Sequence, residues 1–221
     1  MSNDWELIGR TGLAFFGKMT ASISHEIKNV LAIINENAGL LEDITLMAVR
    51  GKPINLDRLK TQAERIKNQI RRADVIVKNM NRFAHSVDES LMSVDLAELL
   101  EFLVVLSSRL AYTRGVKLEP SSMGSSATIT TDLFLLENLL WLCLDFAMEM
   151  AGTGKAVRLI VEKTGDGGRI RFTQLETLKE APADKFPGEV EKALLVSLNA
   201  QIRKDVEAGE LVLSISKKIE D

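Results

Sequence analysis

The chain has 221 residues, enough for two ordinary domains or one large one, and its 46% hydrophobic content excludes wholesale disorder. With 28 basic against 31 acidic residues the net charge is -3, which points away from nucleic acid and anionic membrane as the main partner and towards protein. One cysteine excludes an internal disulfide, and Cys143 sits in an apolar helical stretch where it reads as a small buried hydrophobe.

No basic region followed by an apolar core opens the chain, so no secretory signal is expected and the protein is expected in the cytoplasm. The first predicted element, residues 12–50, carries a heptad seam at Phe16, Thr20, Ile23, Ile27, Val30, Ile34, Asn37, Leu41, Ile44 and Ala48, with alternating steps of three and four. It stops at Gly51-Lys52-Pro53. After Asn55, a plausible N-cap, a second seam runs through Leu56, Leu59, Ala63, Ile66, Ile70, Ala73, Val77, Met80 and Ala84. The charges between these positions, such as Arg58, Lys60 and Arg71, read as a solvated face. Two helices each about 50 Å long cannot bury both seams as an isolated pair. A second copy is therefore expected, closing a four-helix bundle on a twofold axis, with packing of the hairpin on the chain's own C-terminal half as the alternative.

The pattern shortens after residue 87, so the sequence predicts a helical-hairpin domain at 1–92 and a mixed domain at 93–221. The second begins with a helix at 95–111, a strand at 116–118, a Ser/Gly-rich turn at 121–126 and a short strand at 127–130. A helix follows at 132–151; Glu137, Asn138, Asp145 and Glu149 argue against a membrane span there. Alternating residues at 156–161 and 169–175 flank a Gly-Asp-Gly-Gly turn and predict a hairpin. After a Pro-containing loop, a helix is expected at 190–206 and a last strand at 210–216. The result should be a sheet with helices on one face.

His25 falls opposite the first seam, on the wet face of its helix. An exposed imidazole with a pKa of about 6.5 is largely neutral and nucleophilic at neutral pH. Taken alone it also reads as an ordinary surface histidine. The run Phe16-Gly17-Lys18-Met19-Thr20-Ala21-Ser22-Ile23-Ser24-His25-Glu26-Ile27-Lys28-Asn29, followed by a helical hairpin, resembles the phosphoacceptor box of two-component sensor histidine kinases. Val30 stands where the family usually has proline, so the helix kink common there is not expected. The order of elements after residue 93 likewise looks like the family's ATP-binding domain, which gives an α+β fold: a dimeric bundle followed by an ATPase-like α/β sandwich.

The resemblance implies that His25 accepts phosphate, that Glu26 orients or deprotonates its imidazole, and that Asn29, one helical turn on, supports dephosphorylation of the partner. The family's nucleotide motifs are missing. Its magnesium-holding asparagine is replaced by Cys143, Phe146 or Ala147, depending on alignment; Asn138 lies too near the helix start, and Asp145 would add repulsion beside a triphosphate. The glycines of its adenine-reading turn are absent from Phe172-Thr173-Gln174-Leu175-Glu176-Thr177, and Leu194-Leu195-Val196-Ser197-Leu198 stands where a second glycine-rich loop would enter the last helix. Without a phosphate cradle and a metal ligand, transfer from ATP loses its positioning and charge neutralisation.

Other readings are weaker. A zinc protease box needs a second histidine where Asn29 stands, and His85, near the end of the second helix, suits a dipole-capping role. One and two heptads beyond His25 the exposed positions hold Ala32 and Gly39, leaving room for a receiver domain to dock. The sequence therefore predicts a homodimeric histidine phosphotransferase with response-regulator receiver domains as partners. It needs no cofactor of its own, magnesium arriving only with the phosphorylated receiver. An ATP-dependent kinase with diverged motifs and a non-enzymatic scaffold or inhibitor are the alternatives.

Overall fold

The computed structural model describes residues 2–121, 127–165, 167–182 and 184–216. The chain divides into two compact units: residues 20–84 form one, and residues 1–19 join residues 85–221 in the other.

The first unit is the hairpin. Helix α1 (Ser2–Val49) begins ten residues before the predicted start and runs without a break past Val30, and α2 (Leu56–Ala84) returns along it. Asn55 Oδ1 accepts from the Arg58 N–H at 2.9 Å and caps α2 as its side-chain chemistry predicts. On α1, Ile23, Val30, Asn37 and Ile44 are buried, while Ile27, Ile34 and Leu41 are half-buried beside them. On α2 the buried column is Gln62, Ile76 and Phe83, with Leu59, Ile66, Gln69 and Ala73 half-buried. The sequence-predicted α2 seam is therefore rotated: Leu56, Ile70 and Val77, at 73%, 53% and 43% exposure, face water in the single chain.

The second unit is α+β. A five-stranded mixed sheet has the order β2 (Lys117–Ser121), β4 (Ala156–Thr164), β5 (Gly167–Thr173), β7 (Glu210–Ser216) and β6 (Ala200–Asp205). Among the described residues the β2–β4 pair is parallel and the other pairs of this sheet are antiparallel. Strands β1 (Met92–Asp95) and β3 (Thr128–Thr131) form a separate antiparallel pair. Helices α3 (Leu96–Arg114) and α4 (Leu133–Met150) pack against β4. Alternation explains the two faces. Val157, Leu159 and Val161 of β4, Ile170 and Phe172 of β5 and Leu211, Leu213 and Ile215 of β7 are buried. Charged residues among the intervening positions pair across the strands, Arg171 bonding Glu210 at 2.6 Å and Glu162 at 2.9 Å. Those two carboxylates hold the Arg171 guanidinium firmly charged.

Side-chain caps fix both long helices. Asp95 Oδ1 accepts from Ala97 and Glu98 at the start of α3, and Asp132 Oδ1 accepts from Leu135 at the start of α4. Gly115, at φ +67°, ends α3 in the left-handed region that L residues avoid.

One predicted element differs, and one observed strand was not predicted. The helix expected at 190–206 is α5 (Glu189–Ser197) followed by β6, because Asn199 turns the chain at φ +48° and residues 200–205 pair antiparallel with β7. Strand β1 is four residues long, too short for its alternation to mark it in the sequence. The serine-rich turn expected at 121–126 lies, beyond Ser121, outside the described residues, as does Asp166 of the β4–β5 turn.

Candidate functional site

His25 lies in the middle of α1, exposed, and makes no hydrogen bond or ion pair with any described residue. Its neighbours Ile23 and Val30, 5% and 0% exposed, turn the seam inward, and the helical period of 3.6 carries the imidazole outward. Asn29 is exposed one turn later on the same side, and Glu26 is half-buried at the adjoining position. Ala32 and Gly39 continue the line of His25 at intervals of seven, both exposed. A Cβ added at Gly39 would meet nothing within 4 Å, so this strip of helix is open. The arrangement presents a nucleophilic nitrogen, an amide within one turn and a shallow surface beside them. Such a surface suits in-line attack on a group carried by another protein.

In the second unit, the positions where the family's nucleotide machinery would be sought are filled. Cys143 and Ala147 are completely buried, and burial pushes the Cys143 thiol far above its ordinary range. Phe146 stacks on Phe186 with ring centroids 4.5 Å apart and planes 8° from parallel. The connection from β5 to α5 is tied along α4 by further contacts: Thr177 N–H donates to the Met150 carbonyl at 3.2 Å, and Lys185 pairs with Glu149. Glu176 accepts from Thr153 N–H at 3.0 Å, Thr153 Oγ1 at 2.8 Å and Gly154 N–H at 3.3 Å. These bonds hold its carboxyl below the ordinary value of 4.5. Gly152 and Gly154 allow that approach, since a Cβ at either would lie within 2.7 Å of Glu176.

Asp145 pairs with Arg114 at 2.8 Å and with Lys18 at 3.4 Å, so its charge is matched by cations of the chain itself. Lys18 also lies 4.6 Å above the ring of buried Trp141. Asn138 is wholly buried, and neither atom of its amide has a hydrogen-bond partner among the described residues. No group of three or more His, Cys, Asp or Glu suited to a metal ion occurs among the described residues. Cys143, Ala147 and the stacked Phe146–Phe186 pair thus place apolar side chains at these positions. Glu176 and Phe186 carried no recognisable sequence signal, because each acts through a partner more than twenty positions away.

The chain thus carries an exposed histidine on the outer face of a helical hairpin, followed in sequence by an α+β unit. No family model matches the chain. Over 171 residues, 76% of its length, it is 26% identical to the C4-dicarboxylate transport sensor protein DctS of Rhodobacter capsulatus. The match takes in 24% of that protein, so the chain spans about a quarter of the length of this relative. That relative is a sensor protein, and the box around His25 resembles the phosphoacceptor box of two-component sensor histidine kinases. Among solved structures it is similar to Acinetobacter baumannii histidine kinase AdeS, at 16% identity and TM-score 0.44 over 83% of this chain and 96% of that one. It is also similar to histidine kinase ThkA, solved in complex with response regulator protein TrrA, at 18% identity and TM-score 0.45 over 95% of this chain and 64% of that one. No helix among the described residues is long and apolar enough to cross a membrane.

Proposed function

We propose that the chain is a cytoplasmic histidine phosphotransferase of two-component signalling. It relays phosphoryl groups between His25 and the aspartates of response-regulator receiver domains without using ATP. The observation that carries this reading is the contrast between its halves: an exposed nucleophile on α1, and a second unit whose α4 face is occupied by Phe186 stacked on Phe146. In the transfer, the His25 lone pair attacks phosphorus in line with the leaving aspartate carboxylate, and magnesium comes with the receiver. Glu26 tunes the imidazole, Asn29 orients water for hydrolysis of the partner's acyl phosphate, and the line through Ala32 and Gly39 receives the docking helix.

The working form is a homodimer. The exposed column Leu56, Ala63, Ile70 and Val77, at intervals of seven on α2, is the apolar stripe that a second hairpin would cover in a four-helix bundle. The full chain and its His25→Ala variant are to be offered labelled ATP with magnesium and, separately, a labelled phosphorylated receiver. Label on wild type from the receiver and none from ATP is expected. Labelling of His25 by ATP alone would overturn the relay in favour of a kinase. A chain labelled by neither source would be a scaffold.

A further inference from the structure

The second histidine stands outside the site described above and is the better oriented of the two. His85 opens the 3-10 turn His85–Val87 directly after α2. Its Nδ1 lies 2.7 Å from Asp88 Oδ2, and the Asp88 N–H donates to the His85 carbonyl at 3.2 Å. Both side chains therefore project from one closed turn of four residues. Ser86 within that turn is 2% exposed, and the turn packs on α4, so its backbone is anchored. The side chains of His85 and Asp88 are 74% and 59% exposed.

A carboxylate only accepts hydrogen bonds, so in the neutral ring the proton resides on Nδ1 and the lone pair on Nε2. We propose that the His85–Asp88 pair is a second phosphoryl-accepting site, served by the same class of donor as His25, an acyl phosphate such as a receiver's phosphoaspartate. This inference rests on the two-component reading above. In the step, the Nε2 lone pair forms the N–P bond while the P–O bond to the acyl oxygen breaks. The electron pair of that bond leaves on the released carboxylate. The proton stays on Nδ1, shared with Asp88, which offsets the positive charge the ring acquires.

Because the chain has two histidines in all, substitution assigns the label without ambiguity. The full chain is incubated with isotopically labelled acetyl phosphate and magnesium, as wild type, His25→Ala, His25→Ala/His85→Ala and His25→Ala/Asp88→Asn. Melting temperatures establish that each variant is folded. His25→Ala is expected to keep one acid-labile, alkali-stable label per chain, and the double histidine variant to lose it. Asp88→Asn, which removes the orienting carboxylate, is expected to slow labelling about tenfold. An unlabelled His25→Ala chain, label that survives loss of both histidines, or an Asp88→Asn rate equal to its parent's each overturns the proposal. Label on His85 with none on His25 would instead sink the reading of His25 and leave this one standing.

Discussion

The proposed relay needs room around the attacking imidazole, and the outer face of α1 leaves His25 exposed. Replacing His25 by glutamine, which fits an exposed helical position, should abolish labelling by a phosphorylated receiver without lowering the melting temperature. Asn29→Ala should still accept label, while the phosphorylated receiver survives about tenfold longer in its presence, as loss of a water-positioning group predicts. A receiver whose lifetime is unaffected by Asn29→Ala would remove that residue from the mechanism. Glu176 supports fold stability. Its carboxyl is depressed in the folded state by Thr153 and Gly154, so its stabilisation is present above the ordinary value of 4.5 and is lost as pH falls through the lower folded value. Glu176→Gln should therefore melt at a lower temperature than wild type near neutral pH, and the two curves should converge on acidification. A difference that persists at the acid end would show that the residue acts by packing instead.

At the level of elements, the Asn55 cap and the Gly-Lys-Pro breaker were legible because they act over a few adjacent positions. The Asp95 and Asp132 caps, which act over two or three positions, emerged with the structure. Residues 200–205 were not legible as a strand, since a helical reading of 190–206 satisfies local propensity and only pairing with β7 decides otherwise. The β5–β7 pairing makes its own demand. A Cβ on Gly167 would lie 2.0 Å from the Ile215 carbonyl oxygen, so no side chain fits without shifting the ladder. Gly167→Ala should cost about 1–3 kcal/mol, read as a lower denaturation midpoint. An unchanged midpoint would mean that the strands separate freely at this end.

At the scale of the whole molecule, the α2 stripe is what a single chain leaves unfinished. Ile70 and Val77 lie one heptad apart on α2 and both face water. A charge placed at either would be buried unpaired in a bundle of two copies. Ile70→Glu should weaken self-association by a factor of ten or more, about 1.4 kcal/mol, measured as mass against concentration in sedimentation or light scattering. A wild-type chain that stays monomeric at micromolar concentration would defeat the dimer outright, and a variant that still dimerises would move the interface elsewhere.

By itself the sequence determined the features carried by periodicity and by adjacent residues. The heptads and the Gly-Lys-Pro breaker specify a hairpin, the three-four spacing puts His25 on the outer face, and the box around it resembles a phosphoacceptor. These depend on turns of one helix and on neighbours within seven positions. Only the tertiary structure decided which α2 column is buried, with Gln62 and Phe83 inward and Ile70 and Val77 outward. It also decided that Phe186 stacks on Phe146, that Glu176 closes the turn after α4 and that β6 leaves the helix for the sheet. Each of those contacts joins residues far apart in the chain, and no local pattern encodes the geometry by which they meet.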